Sequence, residues 1–286
     1  MIENRLSLNA REALQRGIER QLLEDSPSRD APILRGVSAR DLRIVMDVAL
    51  FQLAKTPQPY AERIYRLDGG DFVKLSSGSA GMATAWDYDI VLKATGYLVR
   101  LMDQSEPDQA LGGRTIVIPR SELLMGDGQN QYDRLYGRLE RLRTTTVEIR
   151  RKTSKNIVET SVEGLISGFK IIQTDTRVTV VELSLPMWLH SEVAGSRTPN
   201  VLRISPAYFS IRSSLARYIY RVARFAAQEG AKYRFETLYL RSGSTEGKNQ
   251  FSARLRELIQ ADSIPEFHLR ETRGESGPLL LMSPRR

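Results

Sequence analysis

The chain has 286 residues, 41% hydrophobic and 27% charged, which fits about two ordinary globular domains. It contains no cysteine, so disulfides, thiol catalysis and Cys-based zinc fingers are excluded and a reducing cytoplasm is the expected compartment. No apolar run reaches the ~20 residues of a membrane span, and the mixed-charge start MIENRLSLNAREALQRGIER is not a secretory signal. Forty-two Lys and Arg against 34 Asp and Glu give a net charge of +8, which favours a polyanionic partner: nucleic acid first, an anionic membrane surface second.

Residues 1–83 read as a mostly helical N-terminal segment with charges nearly balanced. Leu14, Ile18 and Leu22 allow a short amphipathic helix, and Pro27 and Pro32 in a polar run break it. A helical pattern resumes over 37–55, and LDGGDFVKLSSGSAG at 67–81 reads as a loop or linker. A domain boundary is expected near residue 83.

The next domain, 84–190, opens with Thr84 three residues before Asp87, a helix N-terminus with an acid in its first turn. Trp86, Ile90, Ala94, Tyr97, Leu98 and Leu101 follow at helical spacing. TIVIP (115–119) predicts a strand and PRSELLM (119–125) a short helix with Pro119 at its start. GDGQNQ is a turn, and QYDRLYGRLERL (131–142) a helix with Leu135, Leu139 and Leu142 on one stripe. TTVEIRRK, NIVETSVEGLISGFKI and TRVTVVELSLP are strand sequences, with KTSKN (152–156) as a hairpin loop.

The last domain, 191–286, repeats the order. SSLARYIYRVARFAAQEG is a helix stopped at Gly230, with Arg217, Arg221 and Arg224 as a basic stripe suited to structural ion pairs or backbone contacts. RFETLYLRSGS is a shorter helix, GKNQFSARLRELIQAD a third, and EFHLRETRGESGPLLLMS a hairpin turned at RGESG. Helix, strand, helix, turn, helix and strand pair, an order read twice, predict an α+β chain of two tandem winged helices, each a helix-turn-helix with a β-hairpin. A generic α+β arrangement is the alternative.

In a helix-turn-helix the second helix meets base edges in the major groove. Opposite Phe251, Leu255 and Leu258 lie Asn249, Ala253, Arg256 and Gln260, types that suit adenine, a thymine methyl and guanine, with Ser252 beside them. Lys248, Arg254 and Arg241 suit phosphates. An ordinary solvated face is the competing reading. In the central copy, Arg134, Arg138 and Arg141 are phosphate candidates, but Asp133 and Glu140 share their face, so a looser clamp or a protein interface is expected there. Arg150, Arg151, Lys152 and Lys155 form a basic wing, or simply a charged hairpin tip, and Arg270 and Arg273 are candidate wing contacts of the last domain.

No catalytic set emerges, and neither an enzyme nor a cofactor is expected. His190 and His268 lack metal-ligand spacing. GSTEGKN (243–249) is one residue short of a phosphate loop and has Asn249 where Ser or Thr would bind magnesium. The acid pairs Asp87/Asp89 and Asp68/Asp71 read as capping features, while Tyr218 and Tyr220 stay open as nucleophiles.

The stretches TAWDYDIVLKATGYL (84–98), YDRLYGRLERLRTTTVEI (132–149), RISPAYFSIRSSLARYIYRVARFAAQEG (203–230), LYLRSGS and FSARLRELI resemble the plasmid replication initiator protein A family. The resemblance covers about 84–270. It implies an initiator that binds repeated double-stranded DNA sites at an origin through tandem winged helices and recruits a host initiator ATPase and the replicative helicase. It implies that the C-terminal module reads the main half-site while the other adds backbone contacts and homodimerisation, with no catalytic residue and no nucleotide. A transcriptional regulator acting as an autorepressor is the alternative, and a rolling-circle nickase a weaker one; direct repeats beside an A+T-rich stretch would favour initiation over a regulator's single inverted repeat.

Overall fold

The computed structural model describes residues 36–67, 70–104, 113–123, 131–154, 157–174, 177–195, 200–226 and 232–285. The expected N-terminal helix around Leu14 to Leu22, the prolines at 27 and 32, Asp68, the turn after residue 125, Lys155 and the helix stop at Gly230 lie outside them.

The chain is α+β, with antiparallel sheets and helices around one continuous apolar core. Its centre is α1 (Tyr88–Gln104), whose residues from Tyr88 to Val99 are buried apart from the half-buried Lys93. Just before it, the Thr84 N–H and hydroxyl both donate to the Asp87 carboxylate, and the Asp87 N–H points back at the Thr84 hydroxyl. This reciprocal box is the start signal expected from the spacing. Gly96 lets β1 (Arg40–Leu42) approach: a Cβ there would lie 2.2 Å from the Ser38 carbonyl oxygen.

Two three-stranded sheets share one plan. In the first, β4 (Thr115–Pro119) pairs with β8 (Arg177–Ser184), which pairs with β7 (Gly168–Thr174). In the second, β10 (Lys232–Arg234) pairs with β12 (Gly277–Pro284), which pairs with β11 (Phe267–Gly274). Each first strand precedes a helical pair: a 3-10 turn at Arg120–Glu122 and α2 (Gln131–Thr144), then α5 (Phe235–Ser242) and α6 (Lys248–Ala261). Between the two units run α3 (Met187–Ala194), β9 (Val201–Arg203) and α4 (Ser214–Ala226).

A third sheet departs from the expected domain plan. β5 (Thr145–Ser154) and β6 (Ile157–Gly164) join β2 (Glu62–Arg66) and β3 (Phe72–Ser77) in the order β2-β3-β5-β6. The expected loop at 67–81 therefore contains a strand, held between β2 just before it and β5 some 70 residues further on. The expected boundary at 83 is crossed by this sheet, and β1 pairs with β9 across it as well. The boundary at 190/191 falls within α3. Residues 37–55 form no α-helix: β1, a 3-10 turn at Arg43–Val45 and bends occupy them, with Met46, Val48, Ala49, Leu50 and Phe51 all buried.

Two arginines of α4, one turn apart, fasten this segment and α1 together. Arg221 is fully buried: its Nε donates to Asp41 at 2.6 Å and its Nη atoms to the carbonyls of Val48 and Val45. The rings of Tyr88 and Phe51 flank it. Arg217 donates to Asp89 of α1 at 2.5 Å. The basic stripe expected on this helix thus binds inward; Arg224 donates to the Arg203 carbonyl oxygen.

Asp41→Ala leaves a buried guanidinium without its counter-charge and should cost about 3–5 kcal/mol, read from urea unfolding. Burial pushes the Asp89 carboxyl from 3.8 up to about 6, against the pull of Arg217. The folded state then binds this proton more tightly than the unfolded chain, so the carboxyl's contribution to stability is largest below about pH 4 and declines as pH rises to about 6. Wild type should accordingly lose stability relative to Asp89→Asn across that window; a gain would mean that attraction to Arg217 outweighs burial.

Candidate nucleic-acid interface

The last unit carries the best-defined basic surface. α5 ends at Gly243, whose φ of 60° is left-handed backbone, and a Cβ there would sit 2.4 Å from the Tyr65 hydroxyl. The Arg63 Nε donates to the Gly243 carbonyl at 3.0 Å, so β2 holds this turn from outside the unit. α6 then starts after Gly247. Its Phe251, Leu255 and Leu258 are buried, and Phe251 packs edge-on against Tyr239 of α5. That fixes the outward face as Asn249, Ala253, Arg256 and Gln260, all exposed, as the spacing predicts.

A groove of about 350 Å³ lies between the starts of α5 and α6 and the tip of the β11–β12 hairpin, with Arg234, Lys248, Asn249, Ser252, Arg256 and Ser276 on its walls. Arg234 and Ser276 were not singled out from sequence. Arg234 lies in a three-residue strand with no periodicity of its own, and Ser276 reaches the groove only because the hairpin folds back at Gly277, with φ 118°. The half-buried Ser252 turns its hydroxyl to the Lys248 carbonyl at 2.8 Å. Arg270 and Arg273 are exposed on β11.

Several of these cations hold carboxylates. Arg256 makes a two-pronged contact with Glu271 of β11, Nε to Oε2 and Nη2 to Oε1 both at 3.0 Å. Lys248 pairs with Glu236 at 2.6 Å, and Arg254 pairs with Glu246 in the turn before α6. Arg241 does not face the groove: it pairs with Asp47 and so helps pin the N-terminal segment.

The central unit is arranged differently from the expectation. Arg141 forms a two-pronged ion pair with Asp87, and Arg138 contacts the same carboxylate and the Trp86 carbonyl. Both arginines face inward, drawn by a carboxylate that is itself buried. Arg134 is exposed. Arg143 pairs with Glu140 one turn before it. The expected basic wing belongs to the four-stranded sheet; the hairpin equivalent to β11–β12 is β7–β8. Within that sheet Arg151 pairs with Glu192 of α3 at 2.5 Å. Arg150 lies exposed over the Phe72 ring, and Lys152 is exposed with its backbone N–H donating to Asp71.

Tyr218 and Tyr220 are buried, their hydroxyls donating to the Asp47 carbonyl and to Glu266. Burial raises the pKa of both hydroxyls above the ordinary tyrosine value. His268 contacts Asp262 at 2.6 Å, and burial lowers the pKa of His190. Among the described residues no group of three His, Cys, Asp or Glu could hold a metal ion, and no helix is long and apolar enough to cross a membrane.

Comparison with known proteins agrees with this architecture. A putative replication protein of Wigglesworthia glossinidia brevipalpis is 26% identical over 251 residues, covering 81% of this chain and 89% of that protein. The crystal structure of domains 2 and 3 of RctB superposes with a TM-score of 0.56 at 14% identity, over 83% of this chain and 96% of that one, a likeness of fold. Residues 40–269 match the family described as Replication initiator protein A. The match begins at the first strand, Arg40–Leu42, and ends at the start of β11, and the chain belongs to the replication initiator protein A family.

Proposed function

We propose that the chain is a sequence-specific, non-catalytic DNA-binding protein that initiates replication from repeated sites at a plasmid origin and recruits host replication proteins, an initiator ATPase and a replicative helicase among them. Family membership supports the initiator role. The observation that carries DNA binding is the outward face of α6 beside a hairpin bearing Arg270 and Arg273. We read each unit as a winged helix: helix, strand, two-helix turn, and two strands arranged so that the last lies between the first and the middle one. In that reading α6 enters the major groove, Asn249, Arg256 and Gln260 meet base edges, and the β11–β12 hairpin lies along the backbone.

The central unit contributes less to base reading, because Arg138 and Arg141 of its second helix are engaged by Asp87. Arg150 and Lys152, on the exposed side of the four-stranded sheet, suit phosphates without sequence preference. A second copy of the chain is the natural partner on paired or repeated sites.

Arg256→Ala should relax base preference at one position, a loss of about 1–3 kcal/mol for the preferred duplex. Lys152→Ala should weaken all duplexes alike and lower the slope of log affinity against log salt by about one phosphate contact. Equal, sequence-independent losses from both would remove Arg256 from base reading. Incubation of supercoiled DNA with magnesium should leave it unnicked; nicking would overturn the non-catalytic assignment.

A further inference from the structure

Arg256 is the cation of the outward face of α6, and it is held by another element. Its Nε and Nη2 both lie 3.0 Å from the Glu271 carboxylate, and its guanidinium sits 5.4 Å from the centre of the Phe235 ring. A carboxylate along one edge and a ring against its face leave the end of the side chain little freedom. Five N–H groups belong to a guanidinium, and the carboxylate takes those on the Nε edge. The two on Nη1 and the second on Nη2 remain, on the edge that can pair with guanine O6 and N7. An arginine fixed in this way loses less rotational freedom on binding than a free one.

We propose that Glu271 is the positioning residue for base recognition by Arg256: strand β11 braces the guanidinium so that its free edge is presented to a guanine. This rests on the reading of α6 as the base-reading helix. The alternative role of Glu271 is a mask, a carboxylate that competes with DNA for the arginine. The two differ in sign. A mask lowers affinity for every duplex, whereas a brace raises discrimination at one base pair. Other acid–base pairs of the region lack this arrangement: Arg254 points to Glu246 of the adjoining turn, and Lys248 offers Glu236 a single point charge.

The Arg256 and Glu271 side chains are 46% and 35% exposed, and exposed pairs of this kind add little to folding stability. Glu271→Ala should therefore fold normally, which thermal unfolding checks. The full-length chain and its variants are incubated with a library of fully randomised duplexes. Affinities are then measured for the duplex that wild type selects and for its single-base replacements. Wild type should prefer guanine at one position, and Arg256→Ala should abolish that preference. Glu271→Ala should reduce it about tenfold while leaving affinity for the non-guanine duplexes nearly unchanged. In the Arg256→Ala background, Glu271→Ala should change nothing further. A uniform rise in affinity from Glu271→Ala, or undiminished guanine preference, overturns the brace while leaving Arg256 as a reader. If Arg256→Ala itself leaves the preference intact, the brace falls together with the reading of α6 on which it rests.

Discussion

A guanidinium with no solvent contact constrains this structure more than any apolar packing does. Arg221 has five donors to satisfy, and burying it unpaired would cost far more than any single hydrophobic contact returns. Asp41, two main-chain carbonyls of the 45–48 turn and the faces of Tyr88 and Phe51 meet that demand. Together with Arg221 itself, these groups come from three distant stretches of chain, so only one mutual placement satisfies all of them. Apolar side chains alone would tolerate small slides between α1, α4 and the 40–51 segment; a directional network does not. Arg217 with Asp89, one turn earlier on the same helix, repeats the constraint. The mutual placement of α1, α4 and the 40–51 segment thus follows from ion pairs in the core.

Such pairs also mark where the sequence stops being legible. Local signals were readable: the Thr84–Asp87 box, the Leu135–Leu139–Leu142 stripe, the buried face of α6 and the hairpin after it all lie where spacing puts them. What could not be read depended on partners far along the chain. The arginines of α2 look like a phosphate-binding row until Asp87, some 50 residues earlier, is brought beside them. Residues 37–55 mimic a helix because nearly every side is buried, and a segment apolar all round carries no useful period. β3 hides among Gly and Ser because a strand between two others needs only Val73 and Leu75 facing the core.

The two units share one strand order but differ in one addition. The first receives an extra hairpin, β5–β6, between its second helix and its own strands. That hairpin joins β2 and β3 and covers the core with Tyr65, Val73, Leu75, Val147 and Ile149, while Ile64, Lys74, Glu148 and Val162 line up across the opposite face. The strands expected as a free wing are thereby built into a four-stranded sheet. The C-terminal unit, lacking it, keeps both its helix face and its hairpin open.

The turn at Gly243 limits where parts of the last unit can be exchanged. Its left-handed backbone and the Tyr65 hydroxyl at van der Waals range leave no room for a side chain, and Arg63 grips its carbonyl. A helix transplanted from a relative must therefore be spliced downstream of this glycine, between residues 247 and 261, for the graft to sit in register. Recombination upstream of it would separate the turn from the Arg63 and Tyr65 that shape it.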